Sequence, residues 1–468
     1  MRRGGFSGEE LPSAARAVAF VPRGEPDMRK HIGKWLLALN SLAASLLLGP
    51  ATAHAQDLRQ WGTLPSVCAA ANANANADAL TATRPYTARA QDVGEGYFVP
   101  PVAFTGPLSH PRYEDGDGFY TFAEFLYYRQ TRPILSQTVA IRGVFDTNGG
   151  ITGTIGKFVG SGQEALNTNM VQGSGNFDPG MNLGIGYKFR NGVSVSLEWI
   201  HLAETRYAAT AGLLPVNMFL GPQLADTFLF SPVSNFPQSF AGNPANVIVN
   251  GNPAFGSTFG IWNGASNMEI QFIQRFEQIQ VPMRIPVWET ESYRAYGIVG
   301  ARAIIMWEKF EWRTVDADVI GQATADTTAI YNNIVSNRLY GFFVGSGHDC
   351  YLGSTPIGAF SIDLSLAGAL YMDFVKGRAR YELGDKSEAA TRSRNLLNAV
   401  PGIDGKLAIC WYPWEAIQIR VGYNFMALFN TEASPRPIDF NYGTIDPPFS
   451  SGITRWIHGV EAGIGFVW

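Results

Sequence analysis

The chain reads as an all-β protein, a single transmembrane antiparallel up-and-down β-barrel of about ten strands with long extracellular loops. Three observations predict it. Apolar and polar residues alternate with period two along many segments. The connections between those segments alternate between short and long. The last segment, Val460-Glu461-Ala462-Gly463-Ile464-Gly465-Phe466-Val467-Trp468, alternates and closes on an aromatic. Several segments exceed the 5–6 residues usual in soluble sheets, whereas a tilted membrane strand needs about 9–11.

Composition removes the competing classes. The 468 residues include 51 Gly, with 13% aromatic and 16% charged residues, where soluble proteins average about 7% Gly and about 25% charge. No run of some 20 apolar residues exists that could cross a bilayer as a helix, and the mean hydropathy is only -0.02. A hydrophobic content of 46% is ample for a core, which excludes a disordered chain. A net charge of -4 offers no basic field for nucleic acid. Cys68, Cys350 and Cys410 are too few for a disulfide scaffold and lack zinc-site spacing. No cofactor and no metal site are expected.

Residues 1–27 read as an extension ahead of the true start at Met28, and 28–55 as a secretory signal peptide. The cationic Met28-Arg29-Lys30-His31 precedes the apolar Trp35–Leu48 and an Ala-x-Ala site, Ala53-His54-Ala55, with cleavage before Gln56. Residues 56–117, with the low-complexity Ala69–Ala79, read as a periplasmic linker. Asp115-Gly116-Asp117-Gly118 looks like the start of a calcium loop but lacks the remaining ligands, so it reads as a turn into the first strand.

The barrel is expected over 118–468, with strands at 118–131, 178–190, 193–206, 267–282, 292–313, 335–351, 357–375, 400–412, 415–430 and 453–468. Asn191-Gly192 predicts a two-residue type I′ hairpin, because that turn needs positive φ at both positions. Short connections fall at one end and long ones (132–177, 207–266, 314–334, 376–399 and 431–452) at the other, which puts both barrel termini on the periplasmic side. A further hairpin, Val139–Phe145 with Ile151–Val159, leaves twelve strands as the alternative.

The cost of a lipid-facing Arg, roughly 2–4 kcal/mol at mid-membrane, decides which face points inward. Gln418, Arg420, Gly422 and Asn424 alternate with Ile417, Ile419, Val421 and Tyr423, so Arg420 faces the lumen. The same logic places Arg302 with Glu308, and Ser361 with Asp363 and Asp373, inside. The expected lumen charge network comprises Glu124, Lys188, Glu198, Glu269, Arg275, Arg302, Glu308, Asp363 and Arg420, mutually neutralised because buried charge needs partners. Val460, Ala462, Ile464, Phe466 and Trp468 form the terminal pattern read by the barrel-assembly machinery.

The chain also resembles the beta-barrel porin-7 family of planctomycete-type outer membranes. The matching pieces are Phe122-Ala123-Glu124-Phe125-Leu126-Tyr127-Tyr128, Gly300-Ala301-Arg302 with Glu308, Asn337-Arg338-Leu339-Tyr340-Gly341 with Gly345, Arg420-Val421-Gly422-Tyr423-Asn424-Phe425, and His458-Gly459-Val460. Ala367-Gly368 departs from the pattern, which carries a Lys before that Gly. The resemblance implies a porin-like role.

Chemistry is not expected. Ser346 and His348 share a strand face as a nucleophile and base would, but no third orienting group can be named. The expected function is passive, low-conductance passage of small solutes through a porin-like channel; the alternative is a structural or surface-interaction protein whose barrel anchors long surface loops. Eight strands are filled by side chains and 16–18 leave a channel, so ten falls near the closed end. Loop 207–266 could plug the lumen or project. The expected partners are outer-membrane lipid, the export apparatus, the barrel-assembly machinery and small solutes. Cys350 and Cys410, separated by a strand, are not expected to bond to each other, although Cys68 could capture either.

Overall fold

The computed structural model describes residues 118–467 except 147–149, 151–152, 155–156, 172–176, 213–226, 236–237, 241–259, 291, 317–322 and 415. The extension, signal sequence with Ala53, Ala55 and Gln56, linker, Cys68 and Trp468 lie outside the described residues.

Thirteen strands follow in order: β1 Gly118–Gln130, β2 Thr138–Asp146, β3 Lys157–Asn167, β4 Asp178–Lys188, β5 Ser194–Gly212, β6 Thr227–Phe230, β7 Asn267–Glu289, β8 Tyr293–Val315, β9 Thr328–Thr355, β10 Gly358–Leu383, β11 Ala389–Trp414, β12 Ile417–Ala433 and β13 Ser450–Val467. Ten of them close into a barrel in the order β1-β13-β12-β11-β10-β9-β8-β7-β5-β4, every pair antiparallel. Closure leaves no sheet edge, the condition for a sheet to sit in lipid. The first and last strands meet, with Thr121 opposite Phe466 and Tyr127 opposite Val460.

The ten segments expected from the sequence are these ten strands, and the twelve-strand alternative fails. Of the hairpin expected in 132–177, Val139–Phe145 lies within β2, but its partner β3 is at Lys157–Asn167 rather than Ile151–Val159, and the two form a separate sheet with β6, in the order β3-β2-β6. This sheet is not part of the wall: Val139, Leu166 and Leu229 pack into the loop-end core with the inward-facing Phe272, Phe310 and Trp312. Two of the expected long loops are shortened by strand: most of 376–399 belongs to β10 and β11, which run on to a turn at 384–388, and β8 and β9 extend into 314–334 to leave 316–327 between them. Strands of 26 and 28 residues far exceed what a bilayer requires, so the wall continues beyond the membrane at this end.

The turn after β4 also differs from expectation. Gly192 alone takes positive φ, +80°, and Phe189 N donates to Val193 O at 2.8 Å. Asn191 stays at negative φ and uses its side chain to accept from Val193 N at 3.1 Å. The connection is therefore a three-residue loop with glycine at the left-handed position, the next commonest hairpin closure.

Outside the barrel, alternation exposes large apolar side chains in a belt: Phe342 is 74% exposed, Leu370 63% and Leu397 59%. Aromatic groups flank it at both levels. At the turn end Phe119 packs on Tyr187 at 4.8 Å and Tyr187 on Phe189 at 5.1 Å. At the loop end Tyr340 packs on Phe374 at 6.0 Å and Tyr127 on Phe177 at 5.4 Å. Inside, rings cover small residues of the neighbouring strand; a Cβ on Gly184 would fall 2.2 Å from the Phe122 ring. Cys410 is free and buried while Cys350 is engaged in a disulfide, so these two are not bonded to each other.

Candidate functional site

The site is the lumen, and it is layered. Nearest the turn end lies a network of charges contributed by facing strands. Glu124 of β1 accepts from Arg420 Nη1 at 3.1 Å and from Asn182 Nδ2 at 2.7 Å, and has Lys406 Nζ at 3.5 Å. Lys406 also pairs with Glu461, which accepts from the Tyr128 hydroxyl at 3.0 Å. Arg420 reaches Asp363 at 3.7 Å, and Asp363 accepts from the Tyr296 hydroxyl at 2.9 Å.

Arg302 sits deeper. It donates to Asp404 at 2.7 Å and to Gln280 at 2.8 Å, and its Nη1 lies 2.9 Å from the Tyr371 hydroxyl; its guanidinium lies 4.3 Å from the Phe343 ring centre. Gln280 in turn donates to Glu198 at 2.7 Å, which also accepts from Ser196 at 2.9 Å. Arg302, Asp404, Gln280 and Glu198 border a cavity of about 130 Å³ with a mixed polar and apolar lining, which Arg284 also lines. The space suits several waters.

Above the cavity an apolar layer crosses the barrel. Leu126, Ile200, Leu202, Phe276, Ile304, Met306, Leu339, Tyr371, Val400, Met426, Leu428 and Ile457 are buried against one another and come from every barrel strand except β4. Beyond it Glu308 and Arg455 form a fully buried pair, with Arg455 Nη2 on Glu308 Oε2 at 2.9 Å and a second contact through Nη1. Gln274 donates to Glu308 at 2.9 Å, and Arg455 donates to the Glu432 carbonyl at 2.9 Å.

The loop-end mouth is filled by chain. A one-turn helix, α1 (Gly260–Asn263), together with β6 and the segment 434–449, packs with the wall in an aromatic core. Trp262 meets Trp312 at 4.8 Å and Tyr381 stacks on Tyr442 at 4.4 Å. The Tyr331 hydroxyl and Asn333 Nδ2 both donate to the Pro437 carbonyl, at 3.1 and 2.8 Å. The described parts of the loop after β5 therefore fold into the mouth.

Of the expected lumen charges, Glu124, Glu198, Arg302, Glu308, Asp363 and Arg420 lie inside but in separate groups. Glu124, Asp363 and Arg420 share one network, Arg302 is linked to Glu198 through Gln280, and Glu308 pairs with Arg455 beyond the apolar layer. Lys188 faces inward at the turn-end rim. Glu269 and Arg275 do not join them. On β7 the even-numbered residues point inward, so both sit on the outer face. Arg275 pairs there with Glu204 and lies 4.6 Å over Trp307, and Glu269 accepts from Gln271 at 2.7 Å. They stand at and above the upper aromatic level, where the outer wall meets water and the cost of lipid-facing charge does not apply.

The reading from sequence missed Asp404, Lys406, Arg455 and Glu461. It assigned no lumen position on their strands, β11 and β13, but alternation marks them: Glu461 lies between the outward Val460 and Ala462, and Lys406 beside the outward Leu407. Ser346 and His348 do share a face, but it is the outer one. His348 Nδ1 lies 2.6 Å from the Tyr293 hydroxyl in the turn-end aromatic group, away from the lumen.

A closed antiparallel wall with an apolar belt between aromatic levels outside and paired charge inside defines a transmembrane β-barrel. No protein-family model matches the chain, and no curated protein sequence does. Among solved structures it is similar to the outer membrane protease OmpT from Escherichia coli, at 7% identity and a TM-score of 0.36, covering 75% of this chain and 97% of that one. It is also similar to the Pseudomonas putida toluene transporter TodX (8% identity, TM-score 0.20, 77% and 92% covered) and to a Pseudomonas aeruginosa FadL homologue (10%, 0.20, 78% and 93%). Likeness at this level says nothing of shared activity.

Proposed function

We propose that this chain is an outer-membrane β-barrel of a Gram-negative-type cell whose lumen is filled, so that the barrel anchors the folded mouth and extended wall at the cell surface. One observation carries the reading: the apolar layer around Phe276, Leu339, Tyr371 and Met426 spans the lumen. An ion crossing it would lose its hydration against groups that offer no replacement. The resemblance to the porin-7 family and the alternating terminal strand support the outer membrane, short turns on the periplasmic side and assembly through the barrel-assembly machinery. The protein is not an enzyme on this reading, since its Ser–His pair lies on the outer wall.

A second reading, passive low-conductance passage of small solutes, is favoured by the charge-lined cavity at the turn end. It requires the apolar layer to part. Planar-bilayer recording separates the two. Wild-type protein is expected to give no conductance steps, and Phe276→Ala with Tyr371→Ala is expected to create them. Steady unitary conductance from the wild type, shifted toward cations by Arg420→Glu, would replace the anchor with the channel.

A further inference from the structure

The outer wall just above the loop-end aromatic level is charged in two contrasting ways. Across β5, β7 and β8 the charges are of both signs and paired: Arg206 with Glu204 at 2.7 Å, Arg275 also with Glu204, and Lys309 with Glu311 at 2.5 Å. Across β9 and β10 they are of one sign. Arg338, Lys376, Arg378 and Arg380 all project outward; the first three are exposed, while Arg380 is half-buried and takes the local carboxylate, Glu382. The flanking outward positions are neutral: Asn332, Ile334 and Ser336 on β9, and Thr391, Ser393 and Asn395 on β11.

The height of these cations is fixed by register. Arg338 lies opposite Phe374, and Lys376 opposite Ser336, one outward step above Phe374. Directly below come Tyr340 and Phe374 in edge contact, then Phe342, Met372 and Leu370 of the apolar belt. Successive outward positions on a strand are about 7 Å apart, and diagonal neighbours across strands about 7–8 Å. Arg338, Lys376 and Arg378 therefore form a row of positive charge that rises in steps of about 7 Å from the level where aromatic belts mark lipid headgroups.

We propose that Arg338, Lys376 and Arg378 form a binding ledge for the phosphate groups of an anionic lipid in the leaflet at the loop end. The acyl chains lie on Phe374, Met372, Leu370 and Phe342, and guanidinium and ammonium groups hold the phosphate oxygens by charge-assisted hydrogen bonds. The apolar surface directly beneath the cations selects a lipid over a free anion. The inference rests on the membrane-barrel reading and adds a ligand to it. It does not depend on whether the lumen conducts.

The test uses the full chain in phosphatidylcholine bilayers doped with phosphatidylglycerol, with the retained lipids counted by native mass spectrometry after extraction. Wild type should retain phosphatidylglycerol in preference to phosphatidylcholine. Each of Arg338→Gln, Lys376→Gln and Arg378→Gln should weaken that preference about fivefold, and the triple variant on the order of 100-fold, given the typical attraction of one cation to an anionic membrane. The matched triple variant on the opposite wall, Arg206→Gln with Arg275→Gln and Lys309→Gln, should retain the lipid. Equal retention by wild type and the β9–β10 triple variant would overturn the ledge, as would equal loss in the opposite-wall variant. Complete displacement by inorganic phosphate would show a free-anion site instead. Failure of the wild type to enter the bilayer, read as absence of heat-modifiable migration, would overturn the barrel and the ledge together, whereas insertion with no lipid preference overturns the ledge alone.

Discussion

Arg455 and Glu308 show what a charge inside this barrel requires. Both are almost completely buried, on strands five places apart around the wall and so opposite one another (β1, β4, β5 and β7 lie between β13 and β8 on one side), and they meet through two contacts across the lumen. Removing one member of such a pair strands the other and typically costs about 3–5 kcal/mol, whereas replacing both by matched neutral groups costs far less. Arg455→Met should therefore destabilise the barrel strongly, and Arg455→Met with Glu308→Gln should recover most of the loss, measured as urea midpoints of folding into lipid vesicles. Additive losses in the double variant would show that the pair is not coupled. Arg420 was readable as a lumen residue because β12 alternates cleanly. Glu269 and Arg275 were not, because β7 carries apolar residues on both faces, with Ile270 and Phe272 inside and Ile273 and Ile279 outside.

At the scale of the element, β13 has to satisfy two neighbours at once. Phe466 stands opposite Thr121 of β1 and Ile417 of β12, so the final residues close the last seam. Val460, Ala462, Ile464 and Phe466 project outward and present the apolar row the sequence advertises. Deleting 466–468 should leave the seam open at the turn end and sharply reduce the heat-modifiable, protease-resistant fraction after refolding or export. Undiminished assembly of the truncated chain would make the terminal pattern incidental. Bulges adjust the other strands. Between Leu202 and Thr205 the register of β5 against β7 slips by one residue, which turns Tyr207 inward and Glu204 outward. A period-two reading carried straight through that point assigns the wrong face.

For the whole molecule, the belt makes a demand that no soluble β-protein makes. Phe342 is 74% exposed on a wall strand. In water, Phe342→Arg would be nearly neutral or favourable, while in the bilayer core an Arg costs roughly 2–4 kcal/mol. Folding titrations into lipid vesicles should show that loss for Phe342→Arg and almost none for Ile334→Arg above the belt. Equal, negligible effects at both sites would argue against a lipid-facing wall.

Period two, the even number of segments and the alternation of connection lengths were enough to predict a closed wall of about ten strands and the inward set Glu124, Arg302, Glu308, Asp363 and Arg420. Those features follow from one local rule, that charge avoids hydrocarbon, and the rule holds wherever the strand is in the membrane. It lapses above the loop-end aromatic level. There the outer face meets water and the inner face packs on folded loops, so Lys376, Arg378 and Arg380 point outward from a strand whose sequence resembles a loop, and Tyr331 and Tyr381 point inward. Only the closed structure shows that polarity has inverted. It alone also decides that side chains scattered from Leu126 to Ile457 meet in one layer across the lumen, because that meeting depends on how strands distant in sequence are brought to the same height around the barrel.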